Sequence, residues 1–325
     1  VSAHAQSRGP AALIGRVRTA RRESWSLGDM LGLAATWAAG LLLCAIAAAI
    51  VIYMLIRGIQ YLSLDDLFSR PQPGLAQNKI GGFLDPIEGT LMLTVLSILI
   101  AAPLGIGVGI WLTEYGRPAG LARAVESGVE IVAGTPSIVL AIFGIVFFSE
   151  GIFSFLSFEA TDGVAFGRSF LVAAPLMSLI ALPLVIGATR EALYSVPRHV
   201  REASYALGKD RISTIRRVLL PASRRGIGTG IALGMGRIVG DTAIVFVLLG
   251  GSLQIEPQGG IPGLNILKGT GSTLTTYVYN NSPAGEGNAP EKAYAAAFVL
   301  LAIVIALNFG VDLVTRGKGP SWTRR

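Results

Sequence analysis

The chain has 325 residues, of which 52% are hydrophobic and only 14% charged, against about 25% charged in an average soluble domain. So little polar surface excludes an ordinary soluble globular protein. The net charge of +7 needs no nucleic-acid partner where basic residues flank membrane spans and meet anionic lipid.

The first segment, residues 1–30, is a basic tail carrying Arg8, Arg16, Arg18, Arg21 and Arg22. Six apolar runs follow, each near the roughly 20 residues a bilayer requires: Leu31–Ile56, Thr90–Thr113, Val129–Phe148, Phe170–Thr189, Ile227–Gly250 and Ala293–Val314. They predict an all-α integral membrane protein with six transmembrane helices, a membrane domain over residues 31–315 and a short tail over 316–325. The first run exceeds a signal-peptide core and is read as an uncleaved span. Pro103, Pro136, Pro175 and Pro183 fall inside spans two to four and predict kinks, tolerated where neighbouring helices satisfy the freed carbonyls. In span three, Gly134-Thr135-Pro136-Ser137 places two hydroxyls, Thr135 and Ser137, beside a freed carbonyl. That arrangement suits a hydroxyl-supported kink or a polar point on a pathway.

The connections Arg57–Gly89 and Gly251–Lys292 are rich in Gly, Pro, Asn and Ser and read as long outer loops. Phe153, Phe155, Phe158 and Phe166 read as interfacial aromatics. Lys and Arg set the orientation. With the N-terminus inside, 20 of the 27 lie in inner segments, nine of them after span four, and five lie in outer segments (Arg70, Lys79, Arg168, Lys268 and Lys292). The bias predicts both termini in the cytoplasm.

Span five carries the strongest chemical signal. Arg237 and Asp241 lie well inside it, where a charge costs at least about 2.5–3.5 kcal/mol and normally faces protein or water. Four residues apart on a helix, they can pair. At about 100° per residue from Gly226, Gly230 falls near 40°, Gly234 near 80°, Arg237 near 20° and Asp241 near 60°, so glycines and charges share one stripe. That stripe is expected at a subunit interface. Arg237 would offer positive charge to an anion in transit, with Asp241 holding it; a buried pair that merely pins packing is the alternative.

The residue set contains no HExxH, GxSxG or GxxxxGK[ST], so neither hydrolytic chemistry nor an ATP site is legible. Cys44 is the only cysteine, and His4 and His199 are far apart in sequence; no metal set and no cofactor is predicted.

Residues Glu202–Pro221 read EASYALGKDRISTIRRVLLP. This segment, within the polar connection 190–226, resembles the EAA loop of ABC-importer permeases. Glu202, Ala203, Gly208, Leu220 and Pro221 match its pattern, with Ser204 in place of the second Ala and Val218 in place of Ile. The resemblance implies a type I ABC importer permease fold and a short helix that docks on a separate cytoplasmic ATPase. Gly134-Thr135-Pro136-Ser137-Ile138-Val139 and Gly236-Arg237-Ile238-Val239-Gly240-Asp241-Thr242-Ala243 resemble segments of phosphate-importer permeases, Asp241 replacing their usual Glu. Thr242 enters the expected translocation set through this match. Thr189-Arg190-Glu191 resembles the C-type subunit. Thr113-Glu114-Tyr115, Thr276-Tyr277-Val278-Tyr279-Asn280 and Ala306-Leu307-Asn308 resemble the A-type, which is the subunit expected.

What the resemblance implies is a non-enzymatic permease subunit in the bacterial plasma membrane. Its partners would be a second homologous permease, a dimeric ATP-binding subunit and an extracytoplasmic phosphate-binding protein, with inorganic phosphate as cargo and lipid around it. Sulfate or molybdate as cargo, an ATPase-independent carrier or channel, and, least favoured, an intramembrane enzyme remain as alternatives.

Overall fold

The computed structural model describes residues 26–71, 81–157, 159–160, 164–165, 167–250, 255, 264–283, 285 and 289–316. The basic tail, most of residues 251–263, Phe158 and Phe166 lie outside them. Residues Val1–Tyr53 and Met54–Arg325 make two compact units. Helix α1 (Leu27–Tyr61) crosses that boundary and exposes Trp37, Leu41, Leu43 and Ile50, as a lipid-facing helix must.

Among the described residues, four helices are long and apolar enough to cross a membrane: α1, α3 (Leu84–Ile110, extended by a π-turn to Tyr115), α6 (Phe170–Tyr194) and α13 (Pro290–Thr315). Two further pairs, α4 (Ala119–Gly134) with α5 (Ser137–Phe148) and α9 (Leu220–Gly240) with α10 (Ala243–Leu249), pass the same test jointly but are bent by 104° and 58°. The six expected spans are therefore four continuous helices and two broken ones. Pro136 does not kink a span from within. With Thr135 it ends α4 and caps α5, because proline removes the donor and restricts the residue before it.

Helix α6 is the axis of the bundle, packed between α3 and α9 and apolar on all sides, as a surrounded helix is. Glycines bring both neighbours close. A Cβ on Gly105 or Gly109 of α3 would lie 2.7 Å from Val185 or 2.8 Å from Thr189. On α9, Gly226, Gly230 and Gly234 meet Ala192, Ala188 and Val185 of the same chain, at 2.5, 2.7 and 3.2 Å from an added Cβ. The glycine stripe thus faces α6 and not another subunit. In lipid such contacts hold by close van der Waals packing, since no hydrophobic drive separates helix from solvent. Around this axis Leu93, Phe170, Met177, Ile238, Ile244 and Leu248 form the main core, which also joins α5 to α10.

Residues 251–292, expected as loop, contain two helices, α11 (Leu264–Lys268) and α12 (Leu274–Asn281). Helix α12 is capped by Thr273 with Thr276 in a capping box and buries Leu274 and Tyr277 against Phe83 and α13. Ser63 caps the short helix α2 (Leu64–Phe68), whose Leu67 packs against the same cluster. Of the interfacial aromatics, Phe155 is exposed, whereas Phe153 packs 4.8 Å from Phe147. Between them and α6 lies a two-residue hairpin, β1 (Glu159–Ala160) with β2 (Val164–Ala165).

Candidate functional site

Helix α9 ends at Gly240, so Asp241 lies outside it, as its extended C-cap. Four-residue spacing no longer makes a shared face there. Asp241 is 4% exposed, and its Oδ1 accepts the backbone N–H of Ile244 in the first turn of α10 at 2.9 Å. Arg237 is exposed on the last turn of α9. Among the described residues, it forms no ion pair. The expected bridge is thus replaced by two separate roles: a carboxylate fixing the break and an unpaired guanidinium just before it. Arg237 continues an exposed α9 row through Arg225, Thr229 and Leu233, which runs beside the row Gly226, Gly230 and Gly234 that packs on α6.

Thr242 is the N-cap of α10, and its carbonyl accepts Phe246 N–H at 2.9 Å. Thr135 donates to the Ile131 carbonyl at 2.7 Å, satisfying an acceptor left open at the end of α4. Ser137 opens α5 and is partly exposed. Among the described residues, no hydrogen bond joins Thr135 or Ser137 to Arg237 or Asp241. The two breaks are nevertheless related, because the halves beyond them, α5 and α10, pack on each other.

A hydroxyl cluster beside Asp241 escaped sequence reasoning. Thr275 Oγ1 donates to the Asp241 carbonyl at 3.4 Å, and Thr273 Oγ1 lies 2.7 Å from Thr275 Oγ1. Thr90 Oγ1 accepts Leu274 N–H at 2.9 Å, while Gly89 touches the Ser272 carbonyl. The only signal was the density of Thr in residues 270–276.

The second candidate region is α7 (Arg198–Ala206), which contains Glu202, Ala203 and Ser204. Glu202, Ala203 and Leu207 are exposed; Ser204 is buried, its hydroxyl 2.9 Å from Thr214 in α8 (Arg211–Thr214). Gly208 turns the chain at φ +71° with open space around it, a backbone region glycine enters without a Cβ penalty. Asp210 caps α8 by accepting Ser213 N–H at 3.2 Å, and the chain continues through a π-turn into α9, where Leu220 and Pro221 form its first turn. Half of the presumed loop is therefore the leading end of the helix that carries Arg237.

Arg201 fastens α7 to the bundle: it donates to the Leu193 and Val196 carbonyls at 2.7 and 3.0 Å and lies 3.3 Å from Glu114, whose side chain is 8% exposed. Arg190 pairs with Glu126 of α4 at 2.7 Å.

A bundle of continuous and broken membrane helices, with two short helices fastened to it ahead of α9, is the architecture expected of a transport permease. Residues 105–320 match the family of binding-protein-dependent transport system inner membrane components, and the chain belongs to that family. It is thus a multi-pass inner-membrane permease component of an ABC importer, in which ATP hydrolysis belongs to a separate subunit. It is 33% identical over 240 residues to a phosphate transport system permease protein, PstA 1, of Mycobacterium tuberculosis, covering 74% of this chain and 72% of that one. It is 28% identical over 323 residues to the phosphate transport system permease protein PstC of Mesorhizobium japonicum, covering 94% and 97%. Its fold is similar to the MetNI methionine ABC transporter in inward-facing conformations, with TM-score 0.54, 22% identity and coverage of 70% and 92%.

Proposed function

We propose that this chain is the A-type permease subunit of an ATP-driven importer of inorganic phosphate. It pairs with a second homologous permease, receives phosphate from an extracytoplasmic binding protein and couples to an ATPase dimer in the cytoplasm, where both its termini lie. Relatives named as phosphate permeases of both types support the cargo, and the higher identity is to the A-type. The observation that carries the reading is the exposed, unpaired Arg237 on the turn before the Asp241–Thr242 break. A guanidinium is always charged, and its planar fork suits phosphate oxygens. Thr242, Thr135 and Ser137, at the two breaks, are the polar groups assigned to the same passage.

Coupling is assigned to α7 and the turn after it. Exposed Ala203 and Leu207, four residues apart, offer the ATPase a docking face. Leu220 and Pro221 join that face to α9, so displacement of α7 is delivered to the helix bearing Arg237. The test is phosphate uptake by the assembled transporter. Arg237→Gln is expected to nearly abolish uptake while assembly persists, and Arg237→Lys to retain part of it. Near-normal uptake by Arg237→Gln refutes the passage.

A further inference from the structure

At the end of the bundle where α9 begins and α13 finishes, a cavity of about 500 Å³ opens between the two helices. That volume lies within the roughly 300–1,000 Å³ of small-molecule sites. Its polar lining comes from Arg225 and Thr229 of α9 and from Asn308, Asp312, Thr315 and Arg316 at the end of α13. Arg316 gives Nε to Asp312 at 2.7 Å, which orients the guanidinium and leaves its two Nη groups for another acceptor. Arg225 forms no ion pair among the described residues. Thr229 and Thr315 donate their hydroxyl protons to the Arg225 and Val311 carbonyls, at 3.1 and 2.9 Å, so they present lone pairs. The remaining donors are two guanidinium groups and the Asn308 amide, facing one carboxylate that is already engaged. On one flank the helices close, because Gly228 lets Thr315 come against the α9 backbone.

We propose that this cavity binds a phosphate-bearing anion, held between Arg225 and Arg316, that ties α9 to α13. Two guanidinium groups lining one cavity from separate helices match the oxygens of one phosphate group better than isolated ammonium charges would. Basic pockets between membrane helices are also where phospholipid headgroups lodge. The same chemistry is offered by an anionic lipid headgroup and by free inorganic phosphate. This site stands apart from Arg237, three turns further along α9, and does not depend on the proposed passage.

The experiment uses the full chain with its accompanying subunits, carrying Arg237→Gln so that the proposed passage contributes nothing. In one arm, nanodiscs of mixed phosphatidylcholine and phosphatidylglycerol are dissolved in detergent, and lipid retained by the protein is read by native mass spectrometry. In the other, radiolabelled inorganic phosphate is titrated against protein in phosphatidylcholine nanodiscs. Retention of phosphatidylglycerol identifies a headgroup, and saturable phosphate binding identifies the free anion. In either arm Arg225→Gln with Arg316→Gln is expected to weaken binding about tenfold or more, and Ala232→Leu, which fills the cavity without altering charge, to weaken it as well. The Lys replacements keep part of it. The proposal is overturned if neither probe binds above the phosphatidylcholine background, or if the double Gln and Ala232→Leu proteins both bind as the parent does.

Discussion

Arg201→Met tests whether α7 is bolted to the bundle. The substitution keeps side-chain length but removes the Glu114 pair at 3.3 Å and the bonds to the Leu193 and Val196 carbonyls. Glu114 is left nearly buried and unpaired. Breaking one side of a buried pair costs about 3–5 kcal/mol, and because the Arg201 side chain is 18% exposed, the lower end, about 3 kcal/mol, is expected. Glu114→Gln is milder, about 1–2 kcal/mol, because Arg201 keeps both carbonyls and the amide oxygen still accepts. With both changes no charge is stranded, so the double variant is expected to be more stable than the sum of the singles predicts by about 1 kcal/mol or more. Steric-trap unfolding in bicelles gives these free energies, and trypsin cleavage at Lys209 reports release of α7. An Arg201→Met protein within about 0.5 kcal/mol of the parent, or a strictly additive cycle, refutes the anchoring.

Gly208→Asp at φ +71° costs about 1 kcal/mol of backbone strain. It is expected to leave membrane insertion intact yet lower co-purification of the ATPase; an unchanged ATPase yield counts against docking at this turn. Gly230→Val places branched carbon where even a Cβ would lie 2.7 Å from Ala188. A loss of about 1–3 kcal/mol from overpacking is expected, visible as a lower melting temperature of the purified protein. On a Cys44→Ala background, a cysteine at Ser282 is expected to react with an impermeant thiol reagent in intact cells, and one at Ser213 only after permeabilisation. Outside labelling at Ser213 reverses the orientation.

Hydropathy made the spans legible because a membrane crossing demands an apolar run whatever its tertiary setting. The breaks were less so, since two half-helices in series have the composition of one whole helix. Pro136 marked the first break, but the Asp241–Thr242 break carries no proline. It was hidden by the assumption of continuous periodicity, the same assumption that paired Arg237 with Asp241. The α9 glycines were read correctly as close-approach points and assigned to the wrong neighbour, because a stripe on one helix says nothing of which helix it meets. Helix α12 was missed for a local reason: Thr273–Thr276 resembles a loop in composition, and the side chains that make it polar are the ones that cap the helix. Ser204 stands where the EAA pattern has Ala; its bond to Thr214 supplies a physical role that a pattern match could not.

The hydroxyls of α3 bear on how the chain is made. Thr90, Thr94, Ser97 and Thr113 each donate to a carbonyl four residues earlier on the same helix, at 2.6–2.8 Å. Synthesis delivers α3 to the bilayer before α6, the helix it is built to pack against, has left the ribosome. A polar group without a partner in hydrocarbon costs several kcal/mol, so a helix whose hydroxyls relied on a later arrival would be a poor candidate for insertion. Because these bonds close within α3 itself, the nascent helix can wait in lipid with its donors already satisfied. Thr90 accepts the N–H of Leu274 only when the last part of the chain folds back, an attachment that uses a remaining lone pair and disturbs nothing formed earlier.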